Sequence, residues 1–206
     1  MAPQTTKEML LAAATEMFAE YGYNQVSVRD ICRKCNTSIS MITYHFGGKE
    51  GLYQKVLRKQ FSCYSAIRRL AADKSSPLVR LEKYVIWALD RHRTSPHFSK
   101  IYLRELMSPS GYYETHLKPL VLKSKQCLMK ILDDGMRQGD ITDKIDPEAM
   151  AHIISTTINC IGIYSDIHSQ QSPVLGSRDP IDARDILALL RPGIKARTCT
   201  EPCHST

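Results

Sequence analysis

Apolar residues recur at helical spacing along nearly the whole chain, and β-type alternation of useful length is absent. Leu10, Ala13, Ala14, Met17, Phe18 and Tyr21 fall at i, i+3, i+4, i+7, i+8 and i+11, which predicts one buried face of a helix stopped by Gly22. Ser27 with Asp30 three residues on is a capping-box-like start for a short second helix, with Val28, Ile31, Cys32 and Cys35 on its inner side and an end near Asn36. Thr37 or Ser38 caps a third short helix through Phe46, Gly47-Gly48 breaks it, and Lys49 opens a fourth. Beyond it, Ser76-Pro77, Ser95-Pro96 and Asp146-Pro147-Glu148 each precede a longer helix: 78–92, 96–107 and 147–168. A segment from 113 to 138 ends at Gly139, 170–179 reads as a loop, and 181–190 as a last short helix. The chain is therefore expected to be all-α, with an N-terminal unit over 1–48, a C-terminal helical body over 49–191 and a polar tail over 192–206.

A chain of 206 residues can bury a substantial core, and 43% hydrophobic with 24% charged residues excludes disorder and low-complexity character. The longest uncharged run, 149–165, is short and carries Ser155, Thr156, Thr157 and Asn159, so no membrane span is expected. The N-terminus has Lys7 and Glu8 ahead of an amphipathic pattern rather than a secretory signal, and a cytoplasmic location is expected. The net charge of +7 favours a polyanionic partner. No nucleophile elbow, phosphate loop or His-Glu-x-x-His pattern is present, so no enzyme activity and no cofactor are expected.

From Ser27 to Phe46 the punctuation is that of a helix-turn-helix. A reading helix must enter a major groove about 12 Å wide, so its outer side wants small or polar residues and its rear side apolar ones. Ser38, Ser40 and Thr43 are the candidates for base edges. Tyr44, His45 and Lys49, at the end of that helix and just past it, are the candidates for phosphates. Ser27, Arg29, Thr37 and Ile39 complete the candidate DNA surface, Ile39 suiting either a thymine methyl or internal packing, while Ile42 and Phe46 share the rear face.

The run Ser38-Ile39-Ser40-Met41-Ile42-Thr43-Tyr44-His45-Phe46-Gly47-Gly48-Lys49-Glu50-Gly51-Leu52-Tyr53, following Val28-Arg29-Asp30-Ile31, resembles the DNA-binding signature of the TetR family of transcriptional regulators over about 10–57. Tyr102-Leu103-Arg104-Glu105 with Ser108-Pro109 is similar to a CecR-like subgroup. The resemblance implies a homodimer in which a larger helical domain binds a small-molecule effector and dimerises, a repressor on double-stranded DNA at a palindromic operator. The sequence departs from the family in the turn, where Asn36 stands for the usual Gly, and at Cys32 and Cys35, where Ala is common.

Trp87, Phe98, Tyr102, Arg104, Glu105, Tyr113, His116, Asn159 and Tyr164 are candidate effector-cavity residues, with internal packing or pairing as the competing reading for each. Ile153, Ile154, Ile158, Ile161, Leu187 and Leu190 are candidates for the dimer interface. Cys32-x-x-Cys35, or Cys199 and Cys203 with His204, would suit a thiol- or metal-responsive regulator. The i, i+3 spacing on a buried face favours core packing instead, no second pair stands at zinc-finger spacing, and no metal site is assigned. A further alternative is a binding module whose helix-turn-helix no longer meets DNA; the retained basic and polar reading surface argues against it.

Overall fold

The computed structural model describes residues 5–62, 64–171 and 183–194. Helix α1, Thr6–Tyr21, begins at a reciprocal cap in which the Glu8 amide donates to Thr5 Oγ1 and the Thr5 amide donates to the Glu8 carboxylate, 3.3 and 2.9 Å. It ends at Gly22, where φ is +79°. Leu10, Ala14 and Phe18 are buried as the periodicity predicts, but so are Thr15 and Ala19, because α1 packs against a second helix from the C-terminal body as well as against its own neighbours. Tyr21 is a correction: it is 54% exposed, since the helix stops there and no further turn covers its ring.

Helices α2, Val28–Lys34, and α3, Ile39–Phe46, follow. The Asp30 amide donates to Ser27 Oγ at 3.2 Å, which fixes the start of α2. Asn36 occupies the left-handed region with φ +48°, the only non-glycine to do so among the described residues, and this lets the chain reverse between the two helices. Gly47 (φ +75°) and Gly48 (φ +117°) make the second reversal into α4, Lys49–Gln60.

The body is built from α5, Tyr64–Ala72; α6, Pro77–Thr94; α7, Pro96–Met107; α8, Lys118–Gln138; α9, Pro147–Gln171; and α10, Ala183–Ile194. Proline at the first position of α6 and α7, the left-handed Gly139 after α8, and Asp146 accepting from the Ala149 amide at 2.9 Å place these ends where the sequence predicts them. The expected helix over 113–138 is divided: Tyr113–Leu117 forms one π-helical turn, with the Lys118 amide donating to the Tyr113 carbonyl. Pro119 has no amide proton for the Thr115 carbonyl and its ring crowds that position, which is the physical reason for the wider turn. Helix α10 runs past the expected stop at Leu190 to Ile194.

Among the described residues two apolar clusters result. Ile67, Leu81, Val85, Leu89, Leu128, Ile131, Leu132, Ile154 and Ile158 belong to the core of the body. The other gathers Leu10, Phe18, Ile31, Ile42, Leu52 and Val56 and continues without interruption into Phe61, Phe98, Ile101, Tyr102 and Leu117. The expected division at 48/49 falls at the first residue of α4, whose Leu52, Tyr53, Val56 and Leu57 are buried in this second cluster. Arg80 is buried and paired with Asp134 at 2.7 Å inside the body.

Candidate nucleic-acid interface

Helix α3 sorts its side chains as a reader requires. Ile42 is 1% exposed and Phe46 packs partly against the same cluster, while Ser38, Ile39, Ser40, Thr43 and Tyr44 are exposed on the outer side. Positions 39, 40, 43 and 44 span one arc of the helix, and Tyr44 is 81% exposed. His45 is half-buried between Tyr44 and Phe46, with ring centroids 4.9 and 6.1 Å away. The hydroxyls of Ser38 and Ser40 are bonded to each other at 2.7 Å. Arg29 is exposed in the first turn of α2, Thr37 is half-buried in the turn, and the Ser27 hydroxyl is occupied in capping α2.

Lys49 differs from a freely extended lysine. Its ammonium lies 4.3 Å from the centroid of the Tyr23 ring, and burial lowers its pKa from the ordinary lysine range. Arg33 and Lys34 are bridged to Asp30 and Glu16, at 3.1 and 2.6 Å, so their charge is partly offset. Burial raises the thiol pKa of Cys32 and of Cys35; the thiols meet the backbone carbonyls of Ser38 and Met9 at 3.5 and 3.6 Å and so pack the reader. Among the described residues no group of three or more His, Cys, Asp or Glu is arranged to hold a metal, and Cys199, Cys203 and His204 lie outside them.

The effector candidates do not converge on one cavity. Phe98 and Tyr102 are buried and stacked, 5.9 Å apart, against Phe61. Asn159 Oδ1 accepts from Nε2 of buried His92 at 3.2 Å, and the other ring nitrogen of His92 meets the Ser99 hydroxyl at 2.7 Å. His116 lines a cleft of about 380 Å³ with Leu57, Arg58, Phe61 and Leu120, and Trp87 a smaller one of about 230 Å³ beside Asp73 and Lys83. Tyr113 is half-buried on the π-helical turn, and the Tyr164 side chain lies outside the described residues.

Arg104 and Glu105 turn toward the reader instead of the interior of the body. Arg104 donates to the Ala19 carbonyl at 2.8 Å and to the Glu20 carbonyl, closing the C-terminal end of α1 with a cation. Arg91 does the same for α4, donating to the Gln60 carbonyl at 2.5 Å with its guanidinium 4.1 Å from the Phe98 centroid. Glu105, only 3% exposed, accepts from the Tyr53 hydroxyl and from the amide and hydroxyl of Ser110, 3.1 and 3.0 Å. Burial first, and then the bond to Glu105, push the Tyr53 hydroxyl far above the ordinary tyrosine range, so it remains a donor. These residues border a cleft of about 550 Å³ between the end of α1 and the end of α7.

Of the interface candidates, Ile154, Ile158 and Leu187 are corrections: they are 1%, 2% and 4% exposed and belong to the body's own core. Helix α9 is apolar on more than one side, and the inward side takes Ala151, Ile154 and Ile158. Ile153 is 54% exposed, Ile161 is half-buried, and the Leu190 side chain lies outside the described residues.

A helix-turn-helix with an exposed polar reading face, fixed to a helical body by buried and cationic contacts, defines a DNA-binding regulator built in two parts. Residues 10–56 match the family described as bacterial regulatory proteins, tetR family. The HTH-type transcriptional regulator RutR of Escherichia coli (strain K12) is 25% identical and covers 83% of this chain and 79% of its own. The HTH-type transcriptional dual regulator CecR of Shigella flexneri is 24% identical over 91% of this chain and 70% of its own. The solved structure of the ketosteroid transcriptional regulator KstR2 of Mycobacterium tuberculosis shares the fold with a TM-score of 0.76 and 19% identity, over 95% of this chain and 97% of that one. The helix-turn-helix over residues 10–56 is thus of the tetR type, and the chain is a DNA-binding transcriptional regulator. Among the described residues no helix is long and apolar enough to cross a membrane.

Proposed function

We propose that the protein is a homodimeric repressor that grips a near-palindromic operator with α3 of each protomer and is released by a small-molecule effector. The observation that carries this reading is the uncovered arc of Ile39, Ser40, Thr43 and Tyr44 on a helix whose opposite side is buried. Ser38, Ser40 and Thr43 meet base edges; Tyr44, His45 and Lys49 meet phosphates, with Arg29 adding charge at the edge of the surface. Two such helices enter successive major grooves when they stand about 34–36 Å apart, and a ligand preferring another separation shifts the population away from the DNA-binding form. A ligand in the His116 cleft touches Leu57, Arg58 and Phe61 at the end of α4, which supports this cleft as the place from which separation is changed.

The test is selection of a random duplex library with purified protein, followed by affinity against salt. Enrichment of a palindrome with a steep negative salt slope is expected. Lys49→Ala should weaken all sequences alike and flatten the slope by about 1, whereas Thr43→Ala should alter base preference. Full affinity with unchanged salt dependence in Lys49→Ala would remove Lys49 from the phosphate contacts, and no enriched motif would refute sequence-specific reading.

A further inference from the structure

Glu105 is buried at the border of the cleft between the ends of α1 and α7, and its three hydrogen-bond donors come from two places: Ser110 beside it in the chain, and Tyr53 on α4. A buried carboxylate with no cation among these partners is expensive to keep, and it is tolerated because each bond it accepts is made. The tyrosine it holds is the centre of an aromatic group. Tyr53 meets Phe18 edge-on at 4.8 Å and Tyr23 at 4.8 Å, and Tyr112 closes over Tyr23 and Tyr53 at 5.3 and 5.8 Å. Tyr23 in turn carries the Lys49 ammonium on its face. Three consecutive contacts thus join the end of α7 to the first residue of α4. The neighbouring Arg104 fastens the same end of α7 to α1, so α7 is anchored to two helices of the reader by adjacent residues of opposite charge.

We propose that Glu105 is a positioning residue for DNA binding, acting through Tyr53 and Tyr23 to hold the Lys49 ammonium where it meets the phosphate backbone. This rests on the phosphate role given to Lys49 above. The chain of contacts makes the orientation of Lys49 depend on where α7 lies, so a rearrangement of the body reaches the DNA-binding surface through α7. Tyr53→Phe removes the hydroxyl while keeping the ring, leaving one oxygen of Glu105 without its donor. In Glu105→Gln the remaining carbonyl oxygen must face the Ser110 amide, which can only donate, so the new amide group is turned on Tyr53 and reverses that bond.

The experiment measures affinity of the full-length protein for a fixed mixed-sequence duplex across a salt series, with thermal unfolding alongside, for the wild type, Lys49→Ala, Tyr53→Phe, Glu105→Gln and the double variant Lys49→Ala/Tyr53→Phe. Tyr53→Phe and Glu105→Gln should each lose affinity several-fold and flatten the salt slope toward that of Lys49→Ala. The double variant should bind no more weakly than Lys49→Ala alone, because both changes remove one interaction. A purely structural role would lower the unfolding temperature with the slope kept and the losses additive, and that result overturns the proposal while leaving Lys49 a phosphate contact. A silent Lys49→Ala would overturn both.

Discussion

Gly51 stands in the first turn of α4, where that helix passes the last residue of α3. A Cβ there would lie 3.0 Å from the carbonyl carbon of Phe46, with the carbonyl oxygen aimed at it. The oxygen, about 1.23 Å nearer, then falls well inside the 3.4 Å at which ordinary contact begins, so the two backbones must part by roughly 1.5 Å. Backbone cannot rotate out of the way as a side chain can. Replacing glycine by alanine inside a helix otherwise gains about 0.5–1 kcal/mol, and overpacking of a tight contact costs about 1–3 kcal/mol, so the clash wins. For a chain of this size, Gly51→Ala is expected to lower the unfolding midpoint by about 2–8 °C. The effect on DNA should be larger than the effect on stability, because the displaced end of α3 carries Tyr44 and His45 and binding geometry tolerates only about 0.5 Å. Thermal unfolding and duplex affinity of Gly51→Ala are compared with Gly111→Ala, whose Cβ meets nothing within 4 Å and which should melt and bind as the wild type does. Gly51→Ala melting at or above the wild type with full DNA affinity would refute the close approach of α3 and α4.

Two further outcomes follow from the body. Asp134 has its pKa held below the usual carboxylate range, chiefly by the hydrogen bond from buried Arg80. Because the folded value is depressed, this stabilisation is present above the unfolded value near 3.9 and is lost as pH falls through the folded one. Asp134→Asn should therefore destabilise the protein at neutral pH by about 3 kcal/mol, seen in denaturant unfolding, and should narrow the gap to wild type in acid; equal stability at pH 7 would contradict the pairing. Ile153→Glu should yield a monomer in analytical ultracentrifugation with unchanged helical content, since its side chain is uncovered within the protomer, and should reduce affinity for a palindromic duplex far more than for a half-site; a dimer as tight as the wild type would place the interface elsewhere.

What could be read in the sequence was what is decided within a few residues. The caps at Ser27, Pro77, Pro96, Gly139 and Asp146, the left-handed Asn36 and the sorting of α3 into Ile42 and Phe46 inside with Ser40 and Thr43 outside all depend on neighbours one turn away. The π-helical turn was within reach by the same logic, for Pro119 advertises a carbonyl that no α-helical amide satisfies. The isoleucines of α9 show where local reasoning stops: Ile153 and Ile154 are adjacent and chemically identical, and only the packing of α6 and α8 against one side makes one of them core and leaves the other uncovered. Arg104 and Glu105 are the stronger instance. As two charges in an apolar stretch they suit a cavity wall, but their partners lie 85 and 52 positions away, in helices that the pattern along α7 does not encode. Glu105 also had a visible counterpart that periodicity could not interpret. Tyr53 occupies a fully buried position of α4, and a phenol buried that deeply requires an acceptor for its proton. The structure supplies it from another helix, as Glu105 of α7, and a buried carboxylate is the acceptor that in turn requires a donor. The two anomalies, a buried tyrosine on α4 and a buried glutamate on α7, satisfy each other, and the bond between them ties the helices that carry the reading surface to the rest of the helical body.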